Sequence, residues 1–331
     1  MLESDAVDTE RKTVAILRIL SESPEPLGSI SIARALENQG IYLNERTVRY
    51  HLRITDAHGF TQPLGRDGRA LTRRGQEELA NALAPQQIGF VIERIASLAY
   101  QTTLDPNRGT GEVVINTSLF PKDKFKKALT AMKDAFSGNI CVSDLVAVAD
   151  EGEKLGDVLI PEGKVGFATV CSATINGVLL KAGIPMDSRF GGILEVRDSL
   201  PRRFVAIIHY AGSSLDPSLA YIKARMTSVR EASTTGNGKI LANFREIPAA
   251  AKPVAEELVA KLRTIGIAGV VTVGEPSQPV CQIPVGLNKV GVILDGGLNP
   301  LAAAEEAGIE AENIANSGTM DIKRLGSFWE I

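Results

Sequence analysis

An internal repeat in the carboxy-terminal part of the chain restricts its fold more than any other sequence feature. KVGFATVCSATINGVLLKAGI (164–184) aligns without a gap with KVGVILDGGLNPLAAAEEAGI (289–309). The flanking segments repeat in the same order, VVINTSLFP (113–121) with ILANFREIP (240–248), and GGILEVR (191–197) with SGTMDIK (317–323). Self-similarity of this kind predicts two copies of one structural unit.

Each copy alternates between strand-like and helix-like patterns. The order is strand, helix, strand, strand, loop, helix, strand, and the clearest helical stretches are KDKFKKALTAMKDAF and AAKPVAEELVAKLRTI. We therefore expect two α/β repeats, at about 109–236 and 237–331, that pack about a pseudo-two-fold axis and share a sheet or groove. Ligands tend to bind between such halves.

Residues 1–84 follow a different pattern, with three short helices in succession. TERKTVAILRILS has apolar residues along one helical face, and GSISIARALENQG is a second helix that ends at Gly40. NERTVRYHLRITDA is a third helix, capped by Asn44, with Val48 and Leu52 facing inward. Three helices of this length predict a helix-turn-helix core.

A β-hairpin and a fourth helix complete the amino-terminal domain. GFTQPLGRDGRALT predicts two strands joined at an Asp67-Gly68 turn, because Asp-Gly is a preferred hairpin turn. TRRGQEELANAL is a closing helix capped by Thr72. The whole chain is thus predicted to be α+β, with a winged helix-turn-helix domain followed by a duplicated α/β domain.

Basic residues concentrate on the third helix and the hairpin. The chain has a formal net charge of -3, yet the segment from Asn44 to Arg74 contains seven Arg against three acidic residues. Arg side chains on the outer face of such a helix suit the major groove of DNA, where they reach guanine edges and phosphates. The residues predicted to contact DNA are Asn44, Arg46, Thr47, Arg49, Tyr50 and Arg53 on the helix, and Arg66 and Arg69 at the wing tip. A solvated helix face, a protein-docking module and RNA binding are the alternatives.

An apolar helix is predicted in the connection between the two domains, residues 85–108. Its stripe is followed by Asp105-Pro106-Asn107 and consists of Ile88, Val91, Ile92, Ile95 and Leu98. A helix this apolar packs either on its own body or on a symmetry mate. We predict that it forms a contact in a homodimer.

Composition narrows the class of protein and its compartment. With 44% hydrophobic residues the chain is globular, and its three Cys and three His have neither the spacing of a zinc site nor that of a disulfide framework. The amino terminus is polar, and no apolar run approaches the roughly 20 residues that span a bilayer. We expect a cytoplasmic protein with no membrane partner, metal or cofactor.

The two copies differ at the turn before their second helix. Copy one has Cys171-Ser172-Ala173-Thr174, where small side chains at a helix amino terminus favour an anion, whereas copy two has Asp295, which repels one. Copy one also has Arg189 in DSRFGG, and the matching positions of copy two lack a cation. The residues predicted to bind a carboxylate-bearing effector are Cys171, Ser172, Thr174, Asn176, Arg189, Gly191, Gly192, His209 and Thr319.

Structural roles are the alternative for several of these residues. Cys171 would then be a small buried apolar residue, and Arg189 would pair with Asp187 or Asp216. His209, at the end of an apolar strand, is expected to be structural. No nucleophile–base pairing is evident, so we predict a protein that is not an enzyme. The alternative is an enzyme acting on a small carboxylic acid, with a regulatory winged helix and an active site at Cys171 or in LDGGLNP.

The winged helix together with FATVCSATINGVLLKAGIP and SRFGG resembles the NrpR nitrogen-assimilation repressors of methanogenic archaea and their bacterial relatives. The resemblance covers nearly the whole chain. It implies a dimeric repressor of nitrogen-assimilation genes that binds palindromic operators and is released by 2-oxoglutarate. Some members carry two tandem effector domains whereas this chain has one, so a second NrpR-type subunit is a further possible partner.

Overall fold

In the computed structural model of the protein, which describes residues 2–23, 25–38, 40–83 and 89–331, the chain divides into two units, Met1–Gln87 and Ile88–Ile331. The elements of the first unit are helices α1 (Leu2–Glu22), α2 (Ser29–Asn38), α3 (Glu45–Ala57) and α4 (Arg73–Leu83), and strands β1 (Thr61–Pro63) and β2 (Arg69–Leu71). This order of elements confirms the predicted winged helix-turn-helix.

The first three helices pack around one apolar cluster, which includes Ile16, Leu20, Ile32, Leu36, Val48 and Leu52. Asn44 caps α3 as predicted, because its side-chain oxygen accepts a hydrogen bond from the backbone N–H of Thr47 at 2.8 Å. Val48 and Leu52 face inward and are fully buried. The helical spacing of apolar residues was therefore sufficient to orient α3. Helix α1 begins earlier than the predicted Thr9.

The wing is a hairpin with a longer loop than the sequence suggested. Strands β1 and β2 are antiparallel, with Pro63 opposite Arg69, and a 3-10 turn over Gly65–Asp67 lies between them. The expected two-residue turn is therefore wrong, and Asp67-Gly68 forms only the end of the loop. Gly68 has φ +105°, and a Cβ there would lie 2.3 Å from the carbonyl carbon of Leu27. Glycine is required because Leu27 pairs with β2.

The second unit contains the remaining helices and strands. Its α-helices are α5 (Phe90–Gln101), α6 (Lys122–Ser137), α7 (Ala173–Lys181), α8 (Pro217–Lys223), α9 (Val229–Thr235), α10 (Lys252–Thr264) and α11 (Asn299–Glu306). Its strands are β3 (Glu112–Pro121), β4 (Leu145–Ala149), β5 (Lys154–Leu155), β6 (Val158–Leu159), β7 (Lys164–Val170), β8 (Asp187–Arg197), β9 (Leu200–His209), β10 (Gly238–Pro248), β11 (Val270–Val273), β12 (Lys289–Asp295), β13 (Glu312–Asp321) and β14 (Gly326–Ser327).

Two five-stranded sheets form the framework of this unit, and each copy contributes two strands to the sheet of the other, β8 and β9 from copy one and β13 and β14 from copy two. The sheet orders are β13-β3-β7-β4-β14 and β11-β12-β10-β8-β9. Strand β8 of copy one thus pairs with β10 of copy two, and β13 of copy two pairs with β3 of copy one. Neither sheet is complete within one copy, so the repeats fold as a single body.

The strand registers agree with the gapless alignment of the two copies. Pro121 lies opposite Lys164 in copy one, and Pro248 lies opposite Lys289 in copy two. At the other end of the same ladders, Ile115 is opposite Val170 and Ala242 is opposite Asp295. Residues that align in sequence therefore occupy equivalent positions in the two sheets, as expected for a pseudo-two-fold arrangement.

Two apolar cores flank these sheets, and each takes a helix from either copy. One core packs α6 and α11, with Met132 and Leu301, between the sheets. The other packs α7 and α10, with Val178 and Val259, against their opposite faces. Because the first helix of each copy packs with the second helix of the other, separating the repeats would expose both cores to water.

Helix α5 packs within the second unit and is not an isolated linker helix. Val91, Ile95 and Leu98 are buried against a cluster that includes Val114 and Tyr210. The apolar stripe is thus covered by the body of its own chain, which corrects the prediction that it forms a dimer contact. Ile88, the first residue of the predicted stripe, lies outside the described residues.

Close packing of α5 on α7 depends on Gly177. A Cβ at Gly177 would lie 2.4 Å from Cβ of Thr102 and 2.7 Å from the carbonyl oxygen of Ala99. We expect Gly177→Ala to lower the free energy of unfolding of the second unit by about 1–3 kcal/mol, because the helix pair must separate. Urea denaturation of the full chain measures this. Gly326→Ala is the control, since nothing lies within 4 Å of its added Cβ; equal midpoints for the two variants would contradict the prediction.

Candidate functional site

The outer face of α3 presents a row of basic and aromatic side chains. Arg46, Arg49, Tyr50 and Arg53 are all exposed, whereas Val48 and Leu52 on the inner face are buried. The Nη2 atom of Arg49 pairs with Oε1 of Glu45 one turn earlier, which also accepts a hydrogen bond from Ser29. This face has the residue types and exposure that major-groove recognition requires.

Asn44 and Thr47 have a structural role at the start of α3. Oδ1 of Asn44 accepts hydrogen bonds from both the backbone N–H and the hydroxyl of Thr47, at 2.8 and 3.0 Å. Oδ1 of Asn44 and the hydroxyl of Thr47 are thus used in the cap. The cap places the amino terminus of α3, whose partial positive charge favours phosphate.

The two predicted wing arginines differ in their surroundings. Arg66 is exposed in the loop between β1 and β2. Arg69 is not at the exposed tip, because its Nε pairs with Asp56 at 2.9 Å and both side chains are largely buried. This corrects the wing prediction: the guanidinium of Arg69 fastens β2 to α3, and Arg66 is the wing arginine that remains available.

A small cavity lies where the two repeats meet in the second unit. Copy one contributes Asn116, Cys171, Ser172 and Ala173, and copy two contributes Asn243, Arg245 and Asn316. The remaining walls include Ile95, Tyr210 and Asp216. A cavity therefore lies between the halves, where the sequence predicted a ligand-binding region.

The amide side chains of the cavity are held in place by hydrogen bonds. Tyr210 Oη donates to Oδ1 of Asn243, and Nδ2 of Asn243 donates to Oγ of Ser172 at 3.2 Å. The thiol of Cys171 donates to Oδ1 of Asn316 at 3.3 Å, and the backbone N–H of Asn316 donates to Asn116 at 3.0 Å. This network links both copies around the cavity.

Arg245 supplies a buried positive charge to the cavity. It lies on β10, its exposed fraction is 1%, and Nε and Nη1 have no hydrogen-bond partner among the described residues. Its guanidinium carbon lies 4.9 Å from the centre of the Tyr210 ring, a cation–π contact, and its charge also acts on the carboxyl group of Asp216 in the same lining. Burying a charge without a partner raises the free energy of the folded state unless an opposite charge compensates it. The cavity thus has the electrostatics of an anion site.

Burial also sets the protonation of the neighbouring groups. It raises the pKa of Tyr210 to about 12, so the phenol stays neutral and can donate or accept a hydrogen bond. It raises the pKa of Asp216 as well, although hydrogen bonds from Ser218 and the charge of Arg245 oppose the shift. The cavity therefore combines the cation of Arg245 with hydrogen-bond donors such as the Tyr210 phenol, and the carboxyl group of Asp216 lies in the same lining.

Two of the sequence-predicted effector residues line this cavity, Cys171 and Ser172. Thr174 and Asn176 are buried beside it and serve the fold. The hydroxyl of Thr174 bonds both the backbone N–H and the carbonyl of Val114, at 2.9 and 3.2 Å, and so ties α7 to β3. Nδ2 of Asn176 donates to Ser188 at 3.0 Å.

The cation predicted from sequence, Arg189, lies outside the cavity. Its side chain is 47% exposed, and it pairs with Asp187 at 3.3 Å and with Glu246 at 3.7 Å. Ser188 and Phe190 pair with β10, whereas Arg189 falls at the irregularity between them and is turned to solvent. The cation that lines this cavity thus comes from copy two, through Arg245, and not from Arg189 of copy one as the sequence predicted.

The other predicted residues also lie away from the cavity lining. A Cβ at Gly191 would meet Pro217 at 2.8 Å, and one at Gly192 would meet Phe204 at 2.6 Å, so these glycines permit close packing. His209 is exposed at the end of β9, with its ring against Phe190. Thr319 is half-buried on β13, opposite Val114.

One sequence feature does point to the lining residues Asn243 and Arg245, which the sequence prediction omitted. Arg245 interrupts the apolar strand ILANFREIP, and the aligned residue of copy one is Ser118, whose hydroxyl simply bonds Asn313. Asn243 and its equivalent Asn116 are found on the same strands by the same alignment.

Cys171 does not have the environment of a reactive thiol. Burial raises the pKa of Cys171 to about 11. We expect the native protein to be alkylated by iodoacetamide at Cys171 on the order of 100-fold more slowly than a free cysteine at neutral pH, because the thiolate is the nucleophile. Peptide mass spectrometry measures this, with the less buried Cys281 as the internal comparison. Fast, selective labelling of Cys171 would instead favour the enzyme alternative.

Across the described part of the chain, no helix is long and apolar enough to cross a membrane. In the same residues, no three His, Cys, Asp or Glu side chains converge as ligands for a metal ion.

Comparison with known proteins separates the same two units. A family model described as NrpR regulatory domains NRD1 and 2 matches residues 88–327. A model described as Ribonuclease R winged-helix domain matches residues 14–79.

Curated relatives match along most of the chain. The chain is 40% identical to the global nitrogen regulator NrpRI of Methanosarcina mazei, over 96% of this chain and 97% of that protein. It is 32% identical to the global nitrogen regulator NrpR of Methanococcus maripaludis, over 94% of this chain but 54% of the relative. A crystal structure of a nitrogen repressor-like protein from Methanococcus jannaschii is similar with a TM-score of 0.61 and 26% identity, over 72% of this chain and 98% of that one.

Proposed function

Because the chain belongs to the NrpR family of nitrogen regulators, we propose that it represses transcription by binding operator DNA through α3 and the wing, and that 2-oxoglutarate bound between the two repeats releases it. The relatives are regulators of nitrogen metabolism by name, and this chain is a transcription regulator of that kind. We propose in addition that the chain binds operator DNA and that its effector is 2-oxoglutarate.

The observation that carries the effector proposal is the unpaired guanidinium of Arg245 at the junction of the repeats. 2-Oxoglutarate is a dianion with a ketone, so it needs a cation and several hydrogen-bond donors. Nε and Nη1 of Arg245 have no hydrogen-bond partner among the described residues, so each can donate to an anion that enters the cavity. Ser172, Asn243 and Tyr210 are close enough to one another to donate to the remaining oxygens after modest rotation.

The size of the cavity implies that binding moves the protein. Its free volume is about 20 Å³, enough for a single water molecule and too small for a five-carbon dianion. The effector therefore enters only if the walls separate. A ligand that binds one conformation better than another shifts the equilibrium by that difference in affinity.

Helix α5 is the wall through which such a movement would reach the DNA-binding unit. Ile95 of α5 lines the cavity, and α5 is the first element of the second unit, joined to α4 through residues 84–88. Opening the cavity displaces the packing of Ile95 and with it the point of attachment of the winged helix. In a homodimer, this changes the spacing at which two copies of α3 meet successive half-sites.

Titration of 2-oxoglutarate into a DNA-binding assay tests the proposal. The duplex is selected by the protein itself from a random-sequence library, and the affinity is measured by fluorescence anisotropy at fixed salt concentration. We expect saturating 2-oxoglutarate to weaken binding by about 5- to 150-fold, corresponding to about 1–3 kcal/mol of coupling. Succinate, which lacks the ketone, is the control ligand.

Two outcomes would contradict the proposal. If the affinity for DNA is unchanged at millimolar 2-oxoglutarate, then 2-oxoglutarate is not the effector. If the protein binds RNA duplexes of the same sequence with equal affinity, then DNA is not its specific target. The second outcome matters because the winged helix of this chain also matches a ribonuclease domain model.

A further inference from the structure

A second cavity, of about 360 Å³, lies on the opposite face of the sheet from the cavity at Arg245. Its walls include Ile140 after α6, Ser199 in the turn between β8 and β9, Ser233 of α9, Val271 of β11 and the carboxylate residue Asp295 at the end of β12. Both copies contribute to it. Its volume is in the range of sites for small organic molecules.

Strand alternation places Asp295 on the face of this second cavity. Asn243 and Arg245 on β10 point to the first cavity, so Ile240 and Ala242 point to the other side. Asp295 lies opposite Ala242 in the β10–β12 ladder, and paired residues of an antiparallel sheet project from the same face. Asp295 and Ile240 accordingly line the same cavity.

Asp295 supplies the carboxylate of a largely buried side chain to the second cavity. Its exposed fraction is 6%, and none of the described residues donates a hydrogen bond or an ion pair to its side chain. Asp295 is also the sole charged residue among the described residues that line the cavity. A buried carboxylate in this state destabilises the fold unless a ligand compensates it.

The internal repeat shows that the fold does not require an acid at this position. The equivalent residue of copy one is Val170, at the same place in the β3–β7 ladder and 1% exposed in an apolar core. A valine therefore satisfies the same structural position. The shared fold therefore does not require the Asp295 carboxylate. An acid that the fold does not require is expected where a residue is kept for binding.

We propose that this second cavity binds a small primary amine, with its ammonium group paired to the Asp295 carboxylate and its carbon chain against the apolar walls. A single carboxylate matches a single ammonium charge. Ile140, Val196 and Val271 offer apolar contact to a short carbon chain, and the hydroxyls of Ser199 and Ser233 can accept hydrogen bonds from the remaining N–H groups. A ligand with its own carboxylate is disfavoured, because no cation lines the cavity within the described part of the chain. The inference concerns binding alone and does not depend on 2-oxoglutarate or on DNA.

Isothermal calorimetry of the full chain at pH 8 with n-propylammonium chloride tests the proposal, with sodium chloride at the same ionic strength as the reference. We expect saturable binding to the wild type and a loss of affinity of at least about tenfold in Asp295→Asn, which removes the charge but keeps the shape. Asp295→Val, which installs the residue of copy one, should show the same loss. Asp144→Asn is the matched control, since Asp144 lies near Cys141 but not in the cavity lining.

Three results would overturn the proposal. Equal binding by wild type and Asp295→Asn would show that the carboxylate is not the recognition group. Acetamide binding in place of n-propylammonium would show that Asp295 acts as a neutral acid paired with an amide. Ammonium chloride binding as tightly as n-propylammonium would show that the apolar walls contribute nothing.

The stability of the ligand-free variants provides a separate check. Burial raises the pKa of Asp295 well above its usual range, and the nearby titratable group, the Cys141 thiol, has its own pKa raised to about 12. Because the folded-state pKa of Asp295 exceeds the unfolded value of about 3.9, its ionised form increasingly destabilises the fold as pH rises above that value. Asp295→Asn should therefore raise the melting temperature more at pH 8 than at pH 4. No difference between the two pH values would mean that the carboxylate already has a compensating partner, and the proposal would fail.

Discussion

Replacement of Arg245 by methionine will abolish the response to 2-oxoglutarate while DNA binding persists. The guanidinium is the permanent cation of the first cavity, and its Nε and Nη1 atoms have no hydrogen-bond partner among the described residues, so they can donate to the effector. Loss of one partner from a desolvated charge pair costs about 2–4 kcal/mol, so the affinity for 2-oxoglutarate should fall on the order of 30- to 1,000-fold. Calorimetry with 2-oxoglutarate and the DNA titration measure the two properties on one preparation.

The Arg245→Met variant should also be at least as stable as the wild type. Replacing a buried ion that has no partner by an apolar side chain of similar volume removes a desolvation penalty. A higher melting temperature together with a lost effector response would identify a residue kept for binding at the expense of stability. Unfolding of the variant would instead indicate that Arg245 has a structural role.

Arg189→Met is the matched control for this experiment. It removes the same charge from the neighbouring strand β8, but from a half-exposed side chain that already pairs with Asp187 and Glu246. Exposed pairs of this kind contribute little to stability. Loss of the effector response in Arg189→Met with retention in Arg245→Met would restore the site predicted from sequence and reject the cavity described above.

Replacement of Arg49 by alanine will weaken DNA binding and leave effector binding unchanged. Arg49 lies at the centre of the exposed face of α3, and its pairing with Glu45 is at the surface, so the helix should not be destabilised appreciably. A side chain that reads a base edge contributes about 1–3 kcal/mol, which corresponds to about 5- to 150-fold in affinity. Fluorescence anisotropy at several salt concentrations measures the change.

Arg108→Ala is the control for Arg49→Ala. It removes an exposed arginine from the second unit, where it makes a long ion pair with Asp105. Its DNA affinity should equal that of the wild type. If Arg49→Ala lowered the affinity for DNA and for 2-oxoglutarate together, the two functions would not reside in separate units.

Local patterns in the sequence were sufficient for the winged helix and for the repeat. The Asn44 cap, the inward positions of Val48 and Leu52 and the exposed arginines of α3 follow from helical periodicity within a few residues. The gapless alignment also anticipated the strand registers, because equivalent strands must pair in equivalent ways to keep the same apolar faces buried.

The position of the ligand cavity was predicted in general and missed in detail. Cys171 and Ser172 do line the cavity, since the turn before α7 lies at the junction of the copies, and their contact with an effector stays a prediction. The contribution of copy two was not foreseen. The exchange of β8 and β13 between the sheets brings β10 and its Arg245 beside that turn, and a contact between residues so distant in sequence has no local signature.

The sequence by itself determined the two-unit organisation, the basic face of α3 and the existence of two related copies, because each depends on residues near one another in the chain. Only the tertiary structure decided which arginine lines the cavity between the repeats. Arg189 and Arg245 each interrupt an apolar strand and are equally suitable by composition. A bulge turns Arg189 to solvent, and the alternation of β10 buries Arg245 between the repeats. The direction of a side chain on a strand depends on register and on irregularities in pairing, which are set by partner strands elsewhere in the chain.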